Sequence, residues 1–150
     1  MLFRSPQHEL YQREIARLAS VSIGGTCQKL KRLWDDEMVT GRKSGKMIFY
    51  RYNLNNPVAK QFKILINLAA VSGLARRLRG HSQQVTLFGS YAEGANVAAS
   101  AIDIFVLTRE GNKVREIARD YGDNQGKKVS LVIVNPGELQ VLKRSEEHHV

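Results

Sequence analysis

The chain has 150 residues, of which 43% are hydrophobic and 25% charged, and its formal net charge is +9. This composition is typical of a globular protein and excludes a disordered one, because it supplies enough apolar surface for a core. No apolar run approaches the roughly 18 residues of a membrane span, and no signal peptide is visible. The single cysteine, Cys27, cannot form an internal disulfide. We therefore expect a cytoplasmic protein without membrane association.

The positive charge is concentrated in the first half of the chain. Residues 1–80 contain 15 Lys and Arg against 5 Asp and Glu, whereas residues 81–150 contain 8 against 9. A strongly basic segment favours contact with a polyanion such as nucleic acid, while a neutral segment indicates a different task. The charge therefore predicts two modules with different partners.

The first predicted elements are two helices joined by a short link. Apolar residues at helical spacing predict a helix over 8–19, and Ser22 is a candidate N-cap for a second helix that starts at Ile23. The second helix has an apolar face and an opposite, polar and basic face. The predicted apolar face holds Ile23, Cys27, Leu30, Leu33 and Trp34, and the opposite face holds Gly25, Thr26, Gln28, Lys29 and Arg32.

A β-hairpin is predicted directly after the two helices. The β-prone runs "MVTGR" and "MIFYRYN" flank the loop "KSGK", which carries Lys43, Gly45 and Lys46. A basic hairpin that follows two such helices suits a wing, because the second helix can enter the major groove while the hairpin reaches neighbouring phosphates.

Residues 8–55 resemble a winged helix-turn-helix of the prokaryotic transcriptional regulator type in the order, spacing and charge of these elements. The resemblance implies a DNA-binding domain over 1–56, double-stranded DNA as the partner and a homodimer that reads two half-sites. It also implies a set of DNA-contacting side chains, with a protein-protein or dimerisation module as the alternative role. These side chains are Thr26, Gln28, Lys29 and Arg32 on the helix and Lys43 and Lys46 on the wing.

A long helix is predicted to join the two modules over 57–80. Pro57 suits its first turn and Gly80 its end, and its broad apolar side fits packing against both modules or against the same helix of a second subunit. Beyond it, the pattern predicts three strands, near 83–88, 100–108 and 127–135. A short helical turn after Ser90, a helix over 112–122 and a final helix from Pro136 complete an α/β (α+β) arrangement with a mixed sheet.

The segment "GSYAEGANVAASAIDIFV" contains candidate residues for phosphate chemistry. Gly89 and Ser90 open a helical turn whose N–H groups and hydroxyl suit a phosphate, and Gly94 leaves room for the chain to fold back. Positions 101 and 103 face the same side of a strand, where two carboxylates could hold divalent metal ions against a triphosphate. Only one carboxylate, Asp103, is present, because position 101 is Ala101.

This spacing resembles the minimal nucleotidyltransferases, small relatives of DNA polymerase beta, over about residues 83–140. The resemblance implies a nucleotidyltransferase-like domain over 81–150 that binds nucleotide through Gly89, Ser90 and Gly94, with Asp103 as the catalytic metal ligand. Ala101 replaces the first carboxylate of the family pattern, and Ser130 occupies the strand position of the third. A lone carboxylate holds Mg²⁺ weakly, so Mg²⁺ and a nucleoside triphosphate are expected only if the site is active.

We therefore expect a DNA-binding transcriptional regulator that carries a degenerate and inactive nucleotidyltransferase-like domain. Its second module would bind a ligand, a protein partner or another subunit. One alternative is an active enzyme that moves a nucleotide from a triphosphate to a hydroxyl on a protein, an RNA or a small molecule, for which Glu93 is a possible substitute acid. Another alternative is an antitoxin-like interaction protein.

Overall fold

The computed structural model describes residues 9–138. The chain divides into two compact units: the first extends through Ile66 and includes Gly94–Ala98, and the second contains Asn67–Glu93 and the chain from Ala99 onward. The elements, in order, are β1 (Leu10–Tyr11), α1 (Gln12–Ala19), α2 (Ile23–Asp35), β2 (Val39–Ser44), β3 (Met47–Tyr52), α3 (Pro57–Arg79), β4 (Gln84–Phe88), α4 (Gly89–Glu93), β5 (Ile102–Leu107), α5 (Gly111–Gln125) and β6 (Val129–Val134).

The first unit combines two helices with an antiparallel sheet of strand order β1-β3-β2. The helix predicted over 8–19 begins only at Gln12, because Leu10 pairs with Tyr50 and Tyr11 with Phe49 in β3. Within α1, Ala16 is buried, whereas Leu18, one of the apolar residues of the predicted helix, is 44% exposed.

The α2 helix begins where the sequence predicts, and its buried face includes Leu30 as expected but is shifted toward Thr26. Ser22 is its N-cap, and the side-chain oxygen accepts a hydrogen bond from the Gly25 N–H at 3.2 Å. Ile23 is 50% exposed although it was expected in the core, whereas Thr26 is only 4% exposed. The Thr26 hydroxyl donates to the Ser22 carbonyl at 2.8 Å, so the side chain is buried without an unpaired polar group. The expectation that Thr26 faces DNA is therefore corrected.

The hairpin is present: β2 extends to Ser44, beyond the predicted run "MVTGR", whereas β3 ends at Tyr52, just before the end of the predicted run "MIFYRYN". Ser44 pairs with Met47, so the turn contains only two residues, and Gly45 opens it with a φ of 59°. The core of the first unit is formed by α2, both hairpin strands and the start of α3. Its buried residues are Leu30, Val39, Tyr50, Tyr52 and Ala59.

The α3 helix begins at Pro57 and ends at Arg79, directly before Gly80, as predicted. Its cap is Asn56, whose side-chain oxygen accepts hydrogen bonds from the N–H groups of Val58 and Ala59 at 2.9 and 3.1 Å. Ala59 belongs to the core of the first unit, while residues later in α3 belong to the core of the second. The helix is thus an integral part of each unit.

Several large apolar side chains of α3 are exposed. Val58, Phe62, Leu65 and Leu68 are exposed by 44% to 65%. An 18-residue window of α3 has a mean hydropathy of 1.3, so by length and composition the helix could cross a membrane, which corrects the expectation that no apolar run approaches that length. A single helix of this kind is weak support for a span, because its later residues Val71, Leu74 and Leu78 pack in a core.

The second unit contains a mixed sheet of strand order β4-β5-β6. The β4 strand is antiparallel to β5, which is parallel to β6, and the mixed α/β arrangement predicted for this half is confirmed. One face of the sheet packs against α3 and α5, around the buried residues Leu74, Leu78, Ile104, Val106 and Val114. Of the final helix predicted from Pro136, residues 136–138 are helical, and the remainder lies outside the described residues.

Candidate functional site

Asp103 lies at the centre of the mixed sheet, near the start of β5. Its cross-strand neighbours are Phe88 on β4 and Ser130 on β6. Cross-strand neighbours project to the same face, so Ser130 lies beside Asp103, at the position where the family pattern has a third carboxylate. Ala101, two residues before Asp103, contributes a methyl group where the family pattern has the first carboxylate. The three strands therefore present one acid at this point.

Gly89 lies against Asp103. It follows β4 directly and is the first residue of α4. Its φ is 67°, a backbone conformation that residues other than glycine rarely adopt. A Cβ at this position would lie 2.6 Å from Asp103 Oδ2. The turn thus leaves space for the carboxylate only because residue 89 has no side chain. Ser90, the next residue of α4, is half-buried.

Gly94 is explained by packing within the first unit. It is buried and has a φ of 71°. A Cβ there would lie 2.9 Å from Ile64 Cγ1 and 3.3 Å from the Lys60 carbonyl oxygen. This close approach to α3 requires a glycine, in agreement with the prediction that Gly94 makes room for the chain. A contact of Gly94 with nucleotide stays a prediction.

The side chains around Asp103 do not fit a tightly held magnesium ion. Mg²⁺ prefers several oxygen ligands in octahedral geometry, and the neighbouring positions supply Ala101, Phe88 and a serine hydroxyl. Among residues 9–138, no group of three or more His, Cys, Asp or Glu side chains could hold a metal ion. We therefore derive no reaction step through a metal here.

The face of the sheet that carries Asp103 also exposes apolar side chains, which the sequence analysis did not identify. Phe88 and Val132 are 39% and 46% exposed. They line a groove of about 480 Å³ together with Gln84, Thr86 and Phe105. The alternation of the polar Gln84 and Thr86 with the apolar Val85 and Leu87 is the signal in the sequence that could have indicated this open face.

A second candidate surface lies on α2 and the hairpin of the first unit. Gln28, Lys29 and Arg32 are exposed on α2, and Lys43 and Lys46 are exposed on the hairpin. All five keep the exposure that contact with DNA requires, whereas the buried Thr26 does not. The side chains offered to solvent carry four positive charges and one amide, which suits a phosphate backbone and base edges.

Lys31 extends this surface and was missed by the sequence analysis. It is exposed on the side of α2 that faces the hairpin, where Lys31 and Lys43 line a groove of about 540 Å³ with Cys27, Trp34 and Tyr50. The helical periodicity assigned Cys27 correctly to a side that is at least partly covered, but gave no role to the lysine four residues later. The groove connects the two basic elements of the unit.

Arg42 is on the hairpin as well, but its charge is already paired. The guanidinium donates to the Glu9 carboxylate, with Nη2 2.6 Å and Nε 3.2 Å from Oε2, and lies 5.1 Å from the centre of the Phe49 ring. The hydrogen bond from Arg42 lowers the pKa of Glu9 and raises the pKa of Arg42 itself. Both groups are therefore charged at neutral pH.

Comparison with known families supports the nucleotidyltransferase-like domain that was predicted for the second half of the chain. The family model described as "Polymerase beta, Nucleotidyltransferase" matches residues 78–148, slightly less than half of the chain. No curated protein and no solved structure matches the chain. A nucleotidyltransferase-like domain is therefore present in the second half, and it contains the Gly89 and Asp103 pair.

Proposed function

We propose that this protein is a DNA-binding transcriptional regulator whose first unit acts as a winged helix-turn-helix. The observation that carries the proposal is the joint exposure of Lys29 and Arg32 on α2 and of Lys43 and Lys46 on the following hairpin. A helix pair followed by a basic hairpin can insert its second helix in the major groove and hold adjacent phosphates with the hairpin. Gln28, exposed beside Lys29, can pair with an adenine edge.

The nucleotidyltransferase-like domain has a non-catalytic role in this proposal. The sheet register supports this non-catalytic role, because the cross-strand neighbours of the single acid Asp103 are Phe88 and Ser130. The open face around Phe88 and Val132 is apolar enough to bind a ligand or a protein partner. The regulator would then combine a DNA-binding unit with a repurposed domain that retains the glycine turn.

A homodimer is part of the proposal. The exposed apolar residues Val58, Phe62 and Leu65 of α3 are spaced by four and three positions, as in a helix that packs along a second helix. Because these side chains are about half exposed, burying the rest of each one stabilises an interface by about 1 kcal/mol. We expect Val58→Gln with Leu65→Gln to shift sedimentation from dimer to monomer, while Met47→Gln, which is 48% exposed on the hairpin, leaves it unchanged.

The experiment that tests DNA binding is fluorescence anisotropy of a labelled, mixed-sequence duplex across a range of salt concentrations. The DNA-surface variant combines Lys29→Gln, Arg32→Gln, Lys43→Gln and Lys46→Gln. Each phosphate contact removed should lower the slope of log K against log salt by about 0.9. A control variant combines Arg76→Gln, Arg109→Gln and Lys113→Gln, which removes exposed cations of the second unit. Negligible binding at low salt, or equal effects of both variants, would refute the proposal.

A second candidate function is nucleotide transfer to a hydroxyl group, which the family match at residues 78–148 favours. It requires Asp103 and a turn at Gly89 that admits a phosphate. Incubation with a labelled nucleoside triphosphate and Mg²⁺ or Mn²⁺ tests it. Labelled product that disappears in Asp103→Ala would establish this function, and its absence would leave the regulator proposal in place.

A third candidate is a non-catalytic interaction protein of the antitoxin type, which the exposed Phe88 and Val132 favour. In that case the chain would bind a protein through the open sheet face and would not bind DNA. A stable hetero-complex that Phe88→Ser dissociates, combined with anisotropy that does not respond to the duplex, would select this candidate.

A further inference from the structure

A groove in the second unit is lined by basic side chains that neither the sequence motifs nor the proposed function uses. It has a volume of about 690 Å³ and lies between α5 and the start of β6. Arg115 and Arg119 line it from α5, and Lys127 and Lys128 line it from the connection to β6. Asp123 is the one carboxylate in the lining, so the positive charges dominate.

Local backbone geometry explains how the two basic walls are brought together. Arg115 and Arg119 are four residues apart and therefore lie on one side of α5. The helix ends at Gln125 and is followed by Gly126, which has a φ of 59°, and the Lys127 N–H donates to the Gly122 carbonyl at 3.0 Å. A Cβ on Gly122 would lie 2.7 Å from the Lys127 carbonyl oxygen, so the glycine permits this close return of the chain.

The charges in the groove are available to a ligand. Arg115, Arg119 and Lys128 are exposed, and within residues 9–138 none of these three side chains forms an ion pair. The floor is formed by Ala118, Val129 and Leu131, which are buried or half-buried. A floor of this kind offers no competing acid beneath the cations.

We infer that this groove binds the phosphodiester backbone of a nucleic acid. Cations on both walls of an open groove suit an extended polyanion, and each backbone contact releases condensed counterions. The lining contains no aromatic side chain on which a base could stack, so recognition would be independent of sequence. The inference rests on the proposed function for its class of ligand. It deepens that function by giving the nucleotidyltransferase-like domain its own contact with nucleic acid.

The full-length chain tests this inference with the same labelled duplex. The groove variant combines Arg115→Gln, Arg119→Gln and Lys128→Gln, and the control variant is again Arg76→Gln, Arg109→Gln and Lys113→Gln. Three lost contacts should reduce the slope of log K against log salt by about 2 to 3, whereas the control should leave it unchanged. Arg115→Lys with Arg119→Lys keeps the charge and should keep the binding, which separates loss of charge from loss of folding.

The decisive measurement uses the DNA-surface variant as background. Residual, salt-dependent binding in that background, removed when the groove variant is added, supports the inference. Binding that is lost completely in the DNA-surface variant, with no effect of the groove variant on the wild type, overturns the inference but leaves the proposed function intact. Binding that is lost completely in the groove variant, with no effect of the DNA-surface variant on the wild type, supports the inference and overturns DNA binding by the first unit. Displacement of the duplex by ATP or inorganic phosphate at constant ionic strength would overturn the nucleic-acid assignment in favour of a small phosphorylated ligand.

Discussion

Gly89 and Asp103 fit together so closely that a Cβ on the glycine would lie 2.6 Å from Asp103 Oδ2. The two residues are separated along the chain but joined by the sheet, since Asp103 pairs with Phe88, the residue before Gly89. The glycine also has a φ of 67°. The turn and the acid therefore form one structural unit, which persists although the neighbouring carboxylates are absent.

Gly89→Ala should destabilise the protein by about 1 to 3 kcal/mol, through both the positive φ and the contact with Asp103. Urea denaturation measures the change. Combining it with Asp103→Ala should recover part of the loss, because the contact disappears while the backbone strain remains. Gly73→Ala is the control: nothing lies within 4 Å of its Cβ position in α3, and we expect a gain of about 0.5 to 1 kcal/mol. Strictly additive effects of the two substitutions at 89 and 103 would contradict the described contact.

Gly41→Ala should disturb the tryptophan of the first unit. A Cβ at position 41 would lie 2.7 Å from three ring atoms of Trp34, whose ring meets Tyr50 edge-on at a centroid distance of 5.9 Å. Forcing an extra carbon into this packing should cost about 1 to 3 kcal/mol. Because Trp34 is the single tryptophan, its emission spectrum reports the displacement directly.

Gly24→Ala is the matched control for this substitution. Position 24 lies in α2 with no atom within 4 Å of a Cβ. Because position 24 lies in the first turn of the helix, the change should raise stability by less than about 0.8 kcal/mol through helix propensity and leave the emission spectrum unchanged. If Gly41→Ala gave the same unchanged spectrum, the packing of Trp34 against the hairpin would be refuted.

Local signals in the sequence predicted several features well. The N-cap at Ser22, the start of α3 at Pro57 and its end before Gly80 each depend on one or two neighbouring residues. The turn at Gly45 depends on glycine conformation and was located correctly, although β2 continues into residues that were predicted as loop.

Features that depend on distant contacts were missed. Leu10 and Tyr11 form a strand only because β3 lies beside them. The basic groove escaped notice because Arg115 and Lys128 are far apart in sequence and meet only through the return of the chain after α5. Thr26 was misplaced because its polarity suggested exposure, whereas a hydrogen bond inside the helix satisfies its hydroxyl.

Glu9→Gln should strengthen binding of DNA at low salt by about threefold, and the gain should vanish as salt is raised. The Glu9 carboxylate accepts hydrogen bonds from Arg42, whose presence lowers the pKa of Glu9, so the acid is ionised at neutral pH. Its removal eliminates a charge that repels phosphate and releases the guanidinium. Glu110→Gln, at an exposed acid paired with His81, is the control. Anisotropy that showed no difference between the two variants would exclude Arg42 from the DNA surface.

Stability of the first unit should decline at alkaline pH through Tyr52. This side chain is buried, its hydroxyl donates to the Ala59 carbonyl, and burial raises its pKa from 10.0 to about 12. A group with a raised pKa contributes its stability fully below the unfolded pKa and loses it as the pH rises through the folded value. Unfolding should therefore become easier between pH 10 and about 12. Tyr52→Phe cannot ionise, so its denaturation midpoint should fall less steeply over this range, although it lacks one hydrogen bond at neutral pH. Parallel curves for wild type and Tyr52→Phe, measured by circular dichroism at several alkaline pH values, would show that Tyr52 does not cause the loss.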